Sequence, residues 1–161
     1  MSLATVAAIR DRVLTVIEAL TPTSLASETF GRYLSEAGDE FETWAQTHAS
    51  ISLRRIQVRQ VGNDEPPLVT DTATERVRAT LEIRVAYPQT GAYGNQYGLD
   101  RDDVINEDWK LVDRAVGLYG RGNFSGSNDC TPLGARMAIE RGKGGTDYMA
   151  VTADFEYLRS I

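Results

Sequence analysis

The chain has 161 residues, 42% of them hydrophobic, and a formal net charge of −6. This length predicts one domain, residues 1–161, that buries a core without metals or disulfides. The acidic balance argues against a dedicated DNA-binding protein, which usually carries a basic total or a basic tract. Cys130 is the only cysteine, which excludes an intrachain disulfide and a cysteine-based metal site within one copy.

Residues 3–20 predict an amphipathic first helix. Apolar side chains recur there at helical spacing, with Ser2 placed as the N-cap and Pro22 just past the end. Charged residues inside this stretch, such as Arg10, are costly in a bilayer and interrupt a signal-peptide core. We therefore expect no membrane segment. Residues 21–50 have a weaker pattern, which predicts irregular structure with one short helical turn.

The segment RVRATLEIRVAY, residues 76–87, is typical of a long, half-buried strand. Its apolar side chains occupy every second position, so the alternation sends Leu81 and Ile83 into a core. Residues 52–61 predict a neighbouring strand, paired antiparallel with it, in which Leu53 and Val61 are out of phase and indicate a bulge or a fraying end. The opposite face of these two strands carries Arg55, Arg59, Arg76, Arg78 and Arg84.

The second half of the chain repeats the helix-then-strands order. Asp100, Asp102 and Asp103 precede a predicted helix that ends at Gly120 and Gly122. Alternation returns at residues 135–141 and 151–157, and the GKGG turn between them predicts a second hairpin. The order αββαββ predicts an α+β domain with a four-stranded, mainly antiparallel sheet and two helices packed on one face.

Candidate catalytic and ligand sites are weak throughout the sequence. The acids from Asp100 to Asp108 lack the spacing of a calcium loop, which favours helix capping over metal binding. His48, the lone histidine, has no serine or cysteine nucleophile in a recognisable context. The loop GRGNFSGSN lacks the lysine ending of a phosphate-binding loop. We therefore expect no enzymatic activity, no cofactor and no bound metal.

The arginine-bearing strand face suggests an interaction role. In an acidic chain without aromatic residues on that face, we favour a subunit contact, or a solvated face with Glu82 as local partner, over nucleic-acid readout. Replacing Arg78 and Arg84 together by Glu is expected to leave the monomer folded and impair assembly. Strand edges offer a second route, because unpaired backbone groups at a sheet border recruit strands from another copy.

Several segments together resemble a known family. They are ERVRATLEIRVAYP, DDVINEDWKLVDRAVGLYG, and MAIERGKGG followed by MAVTADFEYLRSI. With the chain length and the N-terminal helix, they resemble the tail terminator proteins of long-tailed bacteriophages, also called tail completion or head-to-tail joining proteins. The resemblance extends over nearly the whole chain.

The resemblance implies a non-enzymatic virion protein at the junction of tail and neck, assembled in the host cytoplasm. It implies a homo-oligomeric, typically hexameric ring that caps the tail tube, stops tube polymerisation and joins the tail to the head connector. The implied partners are the tail tube protein and the head–tail connector protein. DNA would pass through the lumen without sequence-specific binding, in keeping with the negative total charge.

Two loops, residues 62–75 and 88–98, are expected to project from the sheet. Tyr93 and Tyr97 in the second loop are candidate contact residues, because tyrosine supplies large interfacial area at modest entropic cost. Ordinary loop packing explains both tyrosines equally well. Two alternatives stay open for the whole protein. One is another neck component, a head-completion protein or connector adaptor, and the other is a small-molecule-binding domain with Asp113 or Asp154 in a pocket between sheet and helices.

Overall fold

Both helices and strands are present in the computed structural model, which describes residues 5–34, 40–61, 69–70, 74–89, 100–117 and 130–160. The helices are α1 (Val6–Glu18), α2 (Phe41–Thr47) and α3 (Arg101–Val116), with a 3-10 turn at Lys143–Gly145. The strands are β1 (Gly31–Arg32), β2 (Arg55–Val61), β3 (Val69–Thr70), β4 (Thr74–Pro88), β5 (Cys130–Arg141) and β6 (Thr146–Ser160).

The six strands form one mixed sheet in the order β1-β2-β4-β6-β5, with β3 also paired to β4. The β1–β2 pair is parallel and every other pair is antiparallel. β4 and β6 pair over their whole lengths, from Thr74 opposite Ser160 to Pro88 opposite Thr146. The predicted antiparallel pairing of β2 with β4, and the β5–β6 hairpin, are both confirmed.

The α+β class is confirmed, whereas the predicted four strands, two helices and αββαββ order are wrong in detail. The additional elements are β1, β3 and α2, which have two, two and seven residues. A two-residue strand shows no alternation, and a seven-residue helix shows less than two full apolar repeats. These elements therefore leave little periodic signal in the sequence.

The main core lies between the sheet and the two longer helices. α1 contributes Val13 and Ile17, α3 contributes Ile105 and Val112, and all four side chains are fully buried. They pack in one cluster with the predicted inward residues of β4, which are Val77, Ala79, Leu81, Ile83, Val85 and Tyr87. The alternation of β4 thus has the predicted register, and α1 and α3 cover one face of the sheet.

α2 lies against the opposite face, near the Pro88 end of β4. Its buried residues Phe41 and Ala45 pack with Ala86 and Tyr148, which belong to the other parity of β4 and β6. Phe41 and Tyr148 meet edge to face, with ring centroids 5.8 Å apart. The two predicted helices, α1 and α3, therefore share one face as expected, whereas this additional short helix covers part of the opposite face, which the sequence pattern left open.

Several element ends differ from those predicted. The N-cap of α1 is Thr5, whose hydroxyl accepts a hydrogen bond from the backbone N–H of Ala8; Ser2 lies outside the described residues. α3 begins directly after Asp100, so Asp102 and Asp103, predicted to precede the helix, lie in its first turn; it ends earlier than predicted, at Gly117, whose φ of 71° places it in the left-handed region. β2 begins only at Arg55, because Arg54 has a φ of 58°.

The predicted bulge in β2 is wrong, whereas the alternative, a fraying end, agrees with the position of Leu53 outside the strand. The ladder between β2 and β4 runs without a register shift from Ile56 to Val61, and Leu53 precedes the strand. The bulge in the described sheet lies instead in β5, between Pro132 and Gly134. Among the described helices, none has both the length and the apolar composition needed to cross a bilayer.

Candidate functional site

The structure places the five predicted arginines on one surface of the sheet. We call the face of the sheet opposite α1 and α3 the polar face. Arg59 lies opposite Glu82 in the β2–β4 ladder, and Arg84 lies opposite Gln57 on the same parity. The polar face therefore carries Arg55, Arg59, Arg76, Arg78 and Arg84, as the alternation predicts.

Two of these arginines are the most accessible. The side chain of Arg59 is 55% exposed and forms an ion pair of 2.9 Å with Glu82, the local partner expected from the sequence. Arg76 is 49% exposed and pairs with Glu156 on β6, also at 2.9 Å. Exposed pairs of this kind contribute at most about 1 kcal/mol, so they orient the guanidinium groups without sequestering them.

Arg84, by contrast, belongs to the packing beneath α2. Only 11% of its side chain is exposed, and its guanidinium lies 4.3 Å from the centre of the Tyr148 ring. Its Nη2 is 3.2 Å from Glu140 on β5 and 4.0 Å from Glu42 on α2. The aromatic face and the two carboxylates balance the charge of Arg84 within the chain, although its buried Nε has no hydrogen-bond partner among the described residues.

The other two arginines are intermediate in exposure. Arg78 is half-buried and lies opposite Glu156 in the β4–β6 ladder. Arg55 lies at the β1 edge, where its guanidinium fills the space above Gly31, and its Nε donates a long 3.4 Å hydrogen bond to the carbonyl of Ile51. Tyr93 and Tyr97 lie outside the described residues, as does most of the two loops predicted to project.

A shallow groove of about 370 Å³ opens on the same polar face. Its lining residues are Thr80, Gly134, Ala135, Arg136, Thr152 and Asp154. Thr80 donates a 2.5 Å hydrogen bond to the Asp154 carboxylate, and the β5 bulge shapes the opposite wall. The alternative of a small-molecule-binding domain predicts a pocket between the sheet and the helices, not on the polar face. Asp154 lines a groove on the other face, while Asp113 is buried in α3, so the structure does not bring these two acids together.

The sequence patterns did not predict a buried charged cluster that the structure contains. Arg54 and Asp108 are both fully buried, with Arg54 Nε 2.7 Å from Asp108 Oδ2. The Tyr87 hydroxyl donates a 2.6 Å hydrogen bond to the same carboxylate oxygen. Burial raises the pKa of Asp108, against the lowering effects of Arg54 and Tyr87. One sequence feature points to this cluster: Asp108 lies in the middle of the apolar stripe of α3, four residues from both Val104 and Val112.

A second charged network ties the start of α3 to the β5–β6 hairpin. Arg141 donates two hydrogen bonds of 2.7 Å to Asp102, and it also contacts Asp147. Arg101 Nη2 lies 2.7 Å from the same Asp147 carboxylate oxygen that Arg141 contacts. The hydrogen bonds from Arg141 lower the pKa of Asp102.

These contacts account for the acidic cluster that begins α3. Asp100 caps the helix by accepting hydrogen bonds from the backbone of Asp102 and Asp103, as the capping hypothesis predicts. In the parts of the chain that the structure describes, no group of three or more His, Cys, Asp or Glu residues is arranged to hold a metal ion. His48 stacks on Trp44, with ring centroids 5.1 Å apart, and its Nδ1 lies 3.0 Å from the Trp44 carbonyl oxygen.

Comparisons with known proteins add no family assignment. No protein-family model matches the chain, and no curated protein matches it. The features available for a functional interpretation are therefore the polar face, its groove and the edges of the sheet.

Proposed function

We propose that the protein is a non-enzymatic structural subunit that forms a ring, typically hexameric, on the end of a bacteriophage tail tube. The ring stops tube polymerisation and joins the tail to the head connector. The structural observation that supports this proposal is the two-sided sheet. One face is buried by α1 and α3, and the other presents Arg59 and Arg76 as exposed charges. The resemblance of the sequence to tail terminator proteins supplies the identity of the partners.

The proposed role follows from asymmetric complementarity. A ring ends tube growth when its lower surface repeats the contacts that one tube ring makes with the next, while its upper surface does not. The upper surface is then available to the head connector. The net charge of −6 disfavours retention of the DNA that passes through the lumen.

Arg59 and Arg76 are better candidates for subunit contacts than the recessed arginines. Their side chains are about half exposed and already face carboxylates, so a neighbouring subunit could exchange or extend those pairs at little desolvation cost to the arginines. Arg84 is packed on Tyr148, so replacing it with Glu is expected to damage the fold together with any interface. The Arg78 and Arg84 double replacement is therefore a poor test of assembly.

The sharper variant is Arg59→Glu combined with Arg76→Glu. A matched control is Arg10→Glu combined with Arg114→Glu, which makes the same charge change at exposed positions on α1 and α3. We expect both variants to fold with a single cooperative melting transition, and only the polar-face variant to lose the native ring mass by light scattering. Equal ring mass in both variants would remove these arginines from the interface.

Function itself is tested with purified tail tubes that lack a terminator. Wild-type protein is expected to form rings seen by electron microscopy at one end of each tube and to block further growth. A protein that stays monomeric at high concentration and ignores both tubes and connectors would overturn the proposal. Binding to DNA-filled heads in place of tube ends would reassign the protein as a head-completion protein or connector adaptor.

The groove beside Asp154 favours a second candidate, a small-molecule-binding domain. Arg136 and Asp154 offer opposite charges on its walls, and Thr80 on β4 and Thr152 on β6 add hydroxyl groups to its lining. This candidate predicts saturable binding of a small polar ligand to the monomer. Loss of that binding in Asp154→Asn, with tube capping absent in the wild type, would favour it over the ring.

A further inference from the structure

β5 forms one edge of the sheet, and its outer side meets no other strand in the described chain. The first part of this edge is interrupted by Pro132 and by the bulge that ends at Gly134. Proline and bulges are features that keep a strand edge from pairing with another chain. Residues 135–141 lie beyond the bulge, pair regularly with β6 and contain neither feature. This segment, ARMAIER, therefore presents backbone N–H and C=O groups along an open edge.

The side chains of this segment are complementary to themselves when a second copy runs in the opposite direction. Around Ala138 the order is base, apolar residue, alanine, apolar residue and acid, formed by Arg136, Met137, Ala138, Ile139 and Glu140. Antiparallel pairing with Ala138 opposite its own equivalent places Arg136 of each copy directly opposite Glu140 of the other. It also places Met137 opposite Ile139. Opposite charges and apolar groups in directly opposed positions both stabilise strand pairing.

The two kinds of pair lie on the two faces of the sheet. Arg136 and Glu140 are on the polar face. Met137 and Ile139 are on the other face, where they pack, half-buried, against the main core. A two-fold axis perpendicular to the sheet keeps each face on the same side in both copies. The second copy therefore extends the core beside Met137 and Ile139 and the charged surface on the polar face.

Only one register gives this match. A shift of two residues in either direction moves Arg136 and Glu140 opposite alanine or glycine, and a shift of four brings identical charges together. Both side chains are accessible for the contact. Arg136 is exposed and forms no ion pair within the described residues. Glu140 is 49% exposed, and its carboxylate can accept a second donor beside Arg84.

We propose that the protein forms a two-fold symmetric dimer in which residues 135–141 of β5 pair antiparallel with the same residues of a second copy, with Ala138 on the axis. The contact is isologous and closes after two copies, whereas a cyclic ring repeats a contact between unlike surfaces. The inference therefore goes beyond the proposed function, because the dimer is a state of the free protein that is separate from the ring contact. It covers a strand edge that otherwise recruits other chains.

Cysteine cross-linking at the axis tests the dimer. In a Cys130→Ala background, Ala138→Cys places each engineered thiol next to its own equivalent, and a short bismaleimide should convert most of the protein to covalent dimer. The matched control is Thr131→Cys, another exposed position on the same strand and face. Its two copies would lie about 40 Å apart along the strands, beyond the reach of the reagent. A covalent dimer in both variants, or in neither, would overturn the inference.

Charge reversal tests the register. Arg136→Glu opposes two glutamates in its own dimer, and Glu140→Arg opposes two arginines. Each variant alone is expected to dimerise at least about tenfold more weakly than the wild type by sedimentation equilibrium. An equal mixture restores both opposite-charge pairs in a mixed dimer, so it should regain the wild-type dissociation constant within about threefold. A mixture as weak as the separate variants would overturn the register.

The contact between Glu140 and Arg84 requires a check on the fold of the second variant. If Glu140→Arg lacks a cooperative melting transition, Glu140→Gln replaces it in the mixture. The mixed dimer then keeps one opposite-charge pair and is still expected to be stronger than the dimer of Arg136→Glu alone. Equal dissociation constants for the two would overturn the register in this arm of the experiment as well.

Tail tubes separate this inference from the proposed function, because the ring contact is assigned to Arg59 and Arg76, which lie on other strands than β5. A dimer that cross-links at Ala138→Cys but ignores tail tubes retains the inference and overturns the proposed function. Tube capping by a protein that gives no cross-link at Ala138→Cys retains the proposed function and overturns the inference.

Discussion

Arg54 donates hydrogen bonds from both Nε and Nη2 to the carboxylate of Asp108, at 2.7 and 3.0 Å, in a pair that is wholly buried. Its other guanidinium N–H groups donate to the carbonyl oxygens of Ser24, Leu25 and Glu28. All five donors of the guanidinium are therefore used. This one side chain connects the segment after α1 to the middle of α3.

Arg54→Met is expected to lower the free energy of unfolding by about 3 to 5 kcal/mol, because it leaves Asp108 buried without its cation. Urea denaturation followed by circular dichroism measures the loss. The control is Arg59→Met, which breaks an exposed pair and should cost less than about 1 kcal/mol. Equal losses of unfolding free energy in the two variants would mean that the buried pair stabilises the fold no more than the exposed pair does.

Leu81→Ala and Ile83→Ala are each expected to cost about 2 to 5 kcal/mol, since both side chains are completely buried beneath α1 and α3. Gln57→Ala, on the polar face of the neighbouring strand, should change stability by less than about 0.5 kcal/mol. Chemical denaturation of the three variants checks the register. A core variant as stable as the wild type would show that the inward face of β4 is assigned incorrectly.

The Asp102–Arg141 pair predicts a difference in stability that depends on pH. Arg141 lowers the folded-state pKa of Asp102 below its ordinary value of 3.8, so the pair stabilises the fold above that pH. The contribution is lost as the pH falls through the folded-state pKa. Asp102→Asn should therefore melt at a lower temperature than the wild type at pH 7, with the difference shrinking in acid.

The control for that experiment is Asp103→Asn, an exposed acid in the same first turn of α3. Both variants lose a favourable charge at the positive end of the helix dipole, so the difference between them isolates the contact with Arg141. Thermal melts of both variants across the acidic range provide the comparison. Parallel pH profiles for the two would contradict the assignment of the effect to Arg141.

The Tyr148 phenol is expected to ionise at a higher pH than an ordinary tyrosine. Burial raises the pKa of its phenol to about 12 from an ordinary value of 10.0, and nearby Glu42 adds to the shift. Because the folded state holds this proton longer, the stability that it contributes falls as the pH rises between those two values. The ultraviolet difference titration of wild type against Tyr148→Phe should show one tyrosine ionising near the upper value. A difference signal centred at the ordinary value would contradict the burial of this ring.

Periodic residues made much of the fold predictable. The alternation through Leu81 and Ile83 predicts both the existence of β4 and the face that it buries, because strand side chains point to opposite sides in turn. The acids Asp100, Asp102 and Asp103 indicated where α3 begins, and the structure identifies Asp100 as the cap. The gathering of the arginines on one face follows from the same alternation.

Other features depended on contacts between distant parts of the chain. α2 covers only one end of the polar face, and this decides that Arg84 is recessed on Tyr148 while Arg59 and Arg76 stay exposed. The groove at Asp154 exists because a bulge in β5 lies beside it. No local pattern encodes either arrangement.

The amino-acid order by itself determined the α+β class, the central strand and the side of it that faces the core, because each depends on residues close together in the chain. Tertiary structure alone decided the strand order, the burial of Arg54 against Asp108 and which arginines reach solvent. The physical reason is that burial and pairing depend on which segments meet in space. Arg54 and Asp108 meet across 54 positions of sequence, far beyond the reach of any helical or strand repeat.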